Sequence, residues 1–582
     1  MVRTGGHGIG NRGGRERAVE EAVRGYLARR LRRFGPGLVL AGALALVLAL
    51  VPPGGSGRGR LVGAGSSGTG QPAGGTGATS GAGGSGVGGS GSTGSTGGAA
   101  SPAGVGGGSG ITPAAAPGSA GTAVSGVHCG PGVRQVPWSA YAPWCEPAYH
   151  GNNGGATSAG VTGSTITLTY RIADSGESKA VFAAAGQAGN ATDQQYVQDM
   201  QTYVGLLNRQ YELYGRHVVL KPYQGQSDWL QEDQGQDLSG AQADAATARD
   251  LGGFADVSIY SATEPYGADL ATDHVITTGT VALPQSWYAE RAPYAYNANA
   301  TNTSFAEYSS NLICQRASGL PAIFAGDVSM RTRQRVFGLI VPENPYYSSG
   351  ADLFESRLHQ CGASVAKRVD YALNIETATQ QAASAMAQMK SAGVTTVLCA
   401  CDPIAPIFNT QAADQQGYHP EWSALWWGDP IARQYAQDQW AHASASAGAS
   451  PNAKATEAYR AFKLANPSGE PAEMYFPIPY EYLLYVFNAL QAAGPDLTPQ
   501  TFQQGMFSLP PTPAGLFGPW SYGPGAFTPR TAFQVGWWDP TYVSAYDNKK
   551  GGYRDCEGGT FFPANDPTAY GPPHTQLHCF GQ

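Results

Sequence analysis

Between residues 333 and 429 the apolar positions switch repeatedly between unbroken runs and helical spacing. RQRVFGLIV (333–341) is apolar with β-branched residues, and Pro342, Pro345 and Gly350 interrupt the segment after it, which predicts a strand and its turn. In ADLFESRLHQCG, Leu353, Phe354 and Leu358 lie at helical spacing and Gly362 supplies a stop. ASVAKRVDYAL (363–373) predicts a second strand. In the next segment (374–393) Thr377 and Gln380 are spaced for a capping box. Ala382, Ala385, Met386 and Met389 form an apolar stripe there, and Gly393 ends it. VTTVLCACD (394–402) is a near-continuous apolar strand, as buried parallel strands are. A helix over 404–416 and the run EWSALWWGD (421–429) complete the block. Strand–helix alternation with short loops predicts an α/β architecture: a parallel sheet with right-handed crossovers. Ligands bind such sheets at the carboxyl ends of the strands, so residues 342–347, 401–403 and 428–430 surround a cleft.

The chain on either side reads in the same terms. TITLTYRI (165–172) is a strand that ends in ADSGE (173–177). A helix over 193–210 carries Tyr196, Met200, Tyr203, Leu206 and Leu207 on one side. HVVLKPYQG (217–225) is a strand, 226–236 a loop and the alanines of 241–248 a helix. DVSIYSATEP (256–265) is a strand, and a further strand end falls at 284–288. Residues 312–319 cross to the next lobe. Helices are expected at 430–443, at 454–465, from 477 to Gly494, and after Thr498 as N-cap. A hairpin ending in FQVGWWD comes next, and the segment 541–582 is loop-like.

The first residues have a different character. Positions 1–36 are polar and basic, with RRLRR at 29–33, and 37–52 contain an uninterrupted apolar run. A basic flank before a run somewhat shorter than the roughly twenty residues of a membrane span predicts a signal-peptide core or a membrane anchor. Residues 53–126 are Gly/Ser/Thr/Ala-rich and cannot bury a core, so they predict a disordered linker. No cysteine follows the apolar run closely, which argues against lipoprotein attachment; the first is Cys129.

Composition adds exclusions. With 35 Lys and Arg against 42 Asp and Glu, the net charge of −7 excludes a general nucleic-acid binder. All eight cysteines follow the apolar run, which predicts disulfides in an oxidising compartment. Cys129 with Cys145 and Cys556 with Cys579 suit local loops, while Cys314 and Cys361 stay open. Cys399 and Cys401 sit on one predicted strand and face the same side, so a direct bond between them is expected to be strained; a metal site is the alternative. CxxC pairs, HExxH, GxSxG and P-loop motifs are absent from the sequence. No metal, cofactor or catalytic activity is therefore expected.

The segments VPENPYYSSG, KRVDYALNIETATQQAASAMAQMKSAGVTTVLCACDP and LWWGDP carry a resemblance in order and spacing. The block resembles the second lobe of the branched-chain amino-acid (leucine/isoleucine/valine type) binding proteins that serve ABC importers, and the resemblance extends over roughly 162–540. It implies a type I periplasmic-binding-protein fold: two parallel-sheet lobes, a hinge and an interlobe cleft. The implied organisation is a Cys-containing lead-in at 127–160, lobe I at 161–295, lobe II at 296–429 and return elements at 430–540. A Cys-stapled tail would close the chain at 541–582. It also implies an extracytoplasmic receptor that takes a small polar solute, an amino acid or amide, to ABC permease subunits. A membrane-tethered ligand sensor of the same fold is the alternative.

Carried over position by position, the resemblance implies ligand contacts at Ser175 in the first turn, Ser261 and Thr263 after the next strand, and Gln285 and Trp287 beyond. Tyr347 lies in the lobe II turn. Asp429 is the acidic candidate for a ligand ammonium, with Asp402 as its alternative. Charged ligand ends must be hydrogen-bonded once water is excluded. The chain departs from the family at Glu177, at the thinned run 260–263, and at the bulky Trp287 and Tyr288. With 30 tyrosines, these departures suit an amide, aromatic or sugar-like ligand as well.

Overall fold

A computed structural model describes residues 110–173, 193–259, 262–279, 282–425, 428–472, 477–512 and 518–581. The basic tail, the apolar run, most of the linker, Ser175 and Ser261 lie outside the described residues. Among the described residues, no helix is long and apolar enough to cross a membrane, and no group of His, Cys, Asp or Glu side chains is arranged to hold a metal.

The first lobe is a four-stranded parallel sheet. It contains β1 (Thr165–Ile172), α1 (Asp193–Gln210), β2 (His217–Gln224), the one-turn helix α2 (Trp229–Asp233), α3 (Leu238–Asp250), β3 (Ala255–Asp256), α4 (Glu264–Thr272), β4 (Ile276–Thr277) and α5 (Gln285–Glu290). The strand order is β2-β1-β3-β4. Residues 166–171 of β1 are all buried, as a strand covered on both faces requires. On α1, Met200, Tyr203, Leu206 and Leu207 are buried as expected from their spacing.

Two expectations fail here. The strand expected over 256–265 stops at Asp256, whose carboxylate accepts the Ser258 N–H at 3.0 Å in a local turn, and Thr263 then caps α4 by accepting from the Tyr266 N–H. The strand end expected at 284–288 is instead the start of α5, whose entry is set by Pro284 at φ −59°.

After α6 (Asn302–Arg316), the second lobe runs β5 (Phe337–Pro342), α7 (Pro345–Gln360), β6 (Val365–Tyr371), α8 (Ala378–Ser391), β7 (Thr396–Cys399), α9 (Ala405–Gln415) and β8 (Glu421–Ala424). It continues with α10 (Asp429–Ala432), α11 (Gln437–Trp440) and β9 (Ala443–Ala445). Strands β9-β8-β7-β5-β6 are parallel neighbours. The stripe Ala382, Ala385, Met386 and Met389 on α8 is buried. Its capping box does not form. Thr377 is already helical at φ −100°, ψ −6° and caps no backbone N–H; instead Gln381 donates to its hydroxyl at 2.8 Å.

The helix expected over 430–443 is broken in two. Ala436 is extended, and the Gln437 amide donates to the Ala432 and Tyr435 carbonyls at 3.0 and 2.8 Å. It thereby satisfies acceptors that a continuing helix would have used.

The chain returns to lobe I through α12 (Glu457–Ala465), α13 (Pro477–Ala493) and α14 (Pro499–Ser508). Helix α13 is buried from Pro479 to Gln491 and joins the lobe I core; the Tyr211 hydroxyl on the lobe I side donates to Asn488 at 2.6 Å. Thr498 caps α14 as expected, here in a reciprocal box with Thr501.

Two further strands, β10 (Gly536–Val543) and β11 (Lys550–Asp555), form an antiparallel hairpin on the edge of the lobe II sheet, beside β9. The segment 541–582 is therefore not loop throughout. Pro540 is tolerated because the register shifts between Asp539 and Val543 and because this is an edge pair.

All eight cysteines are paired: Cys129–Cys145, Cys314–Cys361, Cys399–Cys401 and Cys556–Cys579. The first and last were expected. The bond within Cys399-Ala-Cys401 was not. It forms because β7 ends at Cys399, where the Ala400 N–H still donates to Ile340, and Cys401 lies past the strand with Cα atoms 4.9 Å apart. Cys314–Cys361 ties α6 to the end of α7 across 47 residues. Replacing both of these with serine is expected to cost about 4 kcal/mol through the freed loop in the unfolded chain. Urea denaturation checks this, and a loss under about 1 kcal/mol would show that the bond contributes no chain-entropy stabilisation.

Candidate functional site

A cavity of about 610 Å³, counting the space open at its mouth, lies at the carboxyl ends of β5, β6 and β7. Its floor is Ile340 and Tyr371 at the strand ends. Ala378, Ala382 and Ala385 of α8 form one wall, and Ala405, Phe408 and Asn409 of α9 the other. The roof comes from lobe I, as Leu230 of α2 and Gln234 just after it. The site thus sits where parallel sheets place ligands.

Asp402 follows the end of β7 and supplies the only charged side chain of the lining among the described residues. One carboxylate oxygen accepts the Ile404 and Ala405 N–H groups at 2.7 and 3.1 Å. The other accepts the Tyr371 hydroxyl, which in turn accepts the Asp402 N–H at 3.1 Å. Burial raises the Asp402 pKa, and these donors oppose the rise. Tyr347, at the start of α7, has its ring 4.7 Å from that of Tyr346. Burial, then the charges of Asp233 and Asp402, push its hydroxyl well above the ordinary tyrosine range.

Helix α2 makes contacts with both lobes. Its residues face three ways. Glu232 points into lobe I and accepts both guanidinium arms of Arg171, at 2.5 and 3.1 Å. Ser227 and Thr263 also donate their hydroxyls to it. Arg171 lies 3.3 Å from Asp244 and 3.6 Å over the Tyr266 ring. Asp233 points to lobe II: its carbonyl accepts from Asn344 at 2.5 Å and its carboxylate from the Tyr346 hydroxyl at 3.2 Å. Burial pushes Asp233 up to about 7, against the bond from Tyr346. The third direction, through Leu230, is the cavity roof.

The expected site residues therefore divide. Asp402 lines this cavity; Tyr347 is outside the lining, although the Asp402 charge reaches its hydroxyl. Thr263 supports α2 through Glu232. Gln285 donates its side-chain amide to the Gly525 carbonyl, and its N–H bonds Thr303 at 3.1 Å. Trp287 is 8% exposed, donates to Glu264 at 2.6 Å and lies under Arg291. Asp429 is 1% exposed; it accepts from the Ser544 hydroxyl at 2.5 Å and the Tyr553 N–H at 3.4 Å, which pins the β10–β11 hairpin to α10. None of these last three lines the cavity. Sequence reasoning missed Leu230, Gln234, Tyr371 and Phe408. Tyr371 had a signal, since it ends a predicted strand beside 401–403.

No family model matches the chain, and no curated protein matches it. Solved structures do. The leucine-, isoleucine-, valine-, threonine- and alanine-binding protein from Brucella ovis, in closed conformation, aligns with a TM-score of 0.50 at 13% identity, covering 69% of this chain and 96% of that one. A fatty acid ABC transporter substrate-binding protein from Thermomonospora curvata gives 0.49 at 14%, covering 72% and 98%. The solute-binding protein of an ABC transporter from Rhodopseudomonas palustris BisB5, in complex with 3,4-dihydroxybenzoic acid, gives 0.48 at 13%, covering 69% and 98%. The strand order and the Brucella ovis alignment define the body of this chain as a type I periplasmic-binding-protein fold.

Proposed function

We propose that this protein is an extracytoplasmic solute receptor that closes two lobes over a small molecule and delivers it to ABC permease subunits. The observation that carries the reading is the cavity at the carboxyl ends of the lobe II strands, roofed by a single turn of lobe I. A ligand that touches both walls and roof binds the closed arrangement better than an open one, which is what drives closure. Four disulfides suit a site outside the cytoplasm. The N-terminal apolar run either tethers the receptor or is removed on export. Asp402 is the charged lining residue of this reading, which needs no catalysis.

A thermal-shift screen of the purified protein tests it, using amino acids, amides, polyamines, nucleosides, small sugars and aromatic acids. A ligand at 100 times its dissociation constant should stabilise by about 2.7 kcal/mol. Phe408→Ala, in the cavity wall, should weaken that response. A well-folded sample that responds to no solute would sink the receptor reading. Loss of ligand uptake on gene deletion would distinguish delivery to an importer from tethered sensing.

A further inference from the structure

The lining of the cavity is chemically lopsided. Leu373, Ile375, Ala378, Ala382, Ala385 and Phe408 make most of it aliphatic or aromatic. The polar uncharged members besides Tyr371 are four amides, Gln234, Asn374, Gln381 and Asn409; that of Gln381 is spent on the Ala372 backbone, accepting at 2.8 Å and donating at 3.1 Å. Among the described residues, Lys, Arg and His are absent from the lining. The one charge is Asp402, and its three donors are all neutral: two backbone N–H groups and the Tyr371 hydroxyl. A carboxylate offers about four lone-pair sites, so one is left over on the oxygen that takes the single Tyr371 bond.

A half-buried acid without a counter-ion carries part of the cost of a desolvated charge. A ligand cation would offset that cost. A ligand carboxylate finds the reverse, since it would lose its water next to a like charge with no cationic partner. We infer that the cavity takes a hydrophobic amine: an aliphatic or aromatic body bearing one basic nitrogen at Asp402, and no carboxylate. The inference rests on the receptor reading and changes its ligand class from free amino acids to their carboxylate-free counterparts.

The test uses the purified full chain near neutral pH in a thermal-shift assay. The probes are hexylamine and phenethylamine, the matched acids hexanoate and 3-phenylpropionate, the zwitterions leucine and phenylalanine, and hexanol. The amines should raise the melting temperature, and the acids and zwitterions should not. Ala378→Phe, which fills one wall from a half-buried position, and Asp402→Asn, which keeps an acceptor but removes the charge, should each weaken amine binding about tenfold or more, as loss of a charged hydrogen bond does. If either variant fails to fold, the comparison of amine with alcohol and acid on the unaltered protein still decides. No shift with either amine, an equal shift with leucine or hexanoate, or amine binding indifferent to both variants would each overturn the inference. The receptor reading survives those results if native mass spectrometry finds any solute retained from a cell extract, and falls with the inference if none is.

Discussion

Replacing Arg171 with methionine should lower the stability of the protein by about 3–5 kcal/mol, the usual cost of stranding a buried charge. Arg171 is 1% exposed and lies next to the end of β1, under the guanidinium-binding pair Glu232 and Asp244. Burial works against its charge, but Glu232 at close range more than offsets this and holds the guanidinium protonated. Without it, two carboxylates face each other in a site closed to water. The loss would be read as a lower urea midpoint, and it should come with a frayed α2, because Glu232 is what anchors that turn to lobe I. Pairing Arg171→Met with Glu232→Leu and Asp244→Leu should recover much of the loss, since removing both signs of charge is far less costly than removing one. A single variant within about 1 kcal/mol of the parent would contradict the buried network.

The melting temperature should be higher at pH 5 than at pH 8. Burial pushes Asp233 up to about 7, Glu146 to about 7, Glu457 to about 7 and Asp199 to about 6. An unfolded carboxyl titrates near 4. Between about pH 4 and pH 7 the folded protein therefore holds protons that the unfolded chain has shed. Stability falls as pH rises through that window, and the full penalty is in place above pH 7. For Asp233 alone the change from pH 5 to pH 8 is about 3 kcal/mol, at roughly 1.4 kcal/mol per unit. Asp233→Asn keeps an oxygen for the Tyr346 hydroxyl and removes the charge. It should be more stable than the parent at pH 8 by about that amount, and close to it at pH 5. Calorimetry across this range checks both statements; an unchanged slope in the variant would show that Asp233 is not the buried acid described.

Much of the fold was legible because long apolar periodicities leave little choice. The strands at 165–172 and 217–225, the helix at 193–210 and the alternation from 337 to 424 all lie within a residue or a few of their predicted places. The misses share a cause. Residues 256–265, 284–288 and 430–443 are short segments whose fate is decided by a local cap, a proline or a glutamine amide, and these outweigh weak propensity. The site was only partly legible. Asp402 lines the cavity because it follows a strand end, the position that strand-end reasoning singles out. Asp429 follows an equally plausible strand, but the hairpin that consumes it comes from more than a hundred residues later. The roof was invisible: WLQED is one turn, too short to carry a period, and only the ion pairs behind it give it a position.

That one-turn roof has a kinetic consequence. Its grip on lobe I is a buried charge network, while its grip on lobe II is two hydrogen bonds from Asn344 and Tyr346. Bonds of that kind contribute about 1 kcal/mol each, so the latch is the weaker side and gives way first. On the receptor reading proposed above, ligand residence time would depend on residues 344 and 346, outside the cavity walls. Off-rate and ligand preference can drift apart, with the first tuned at the latch and the second at the lining.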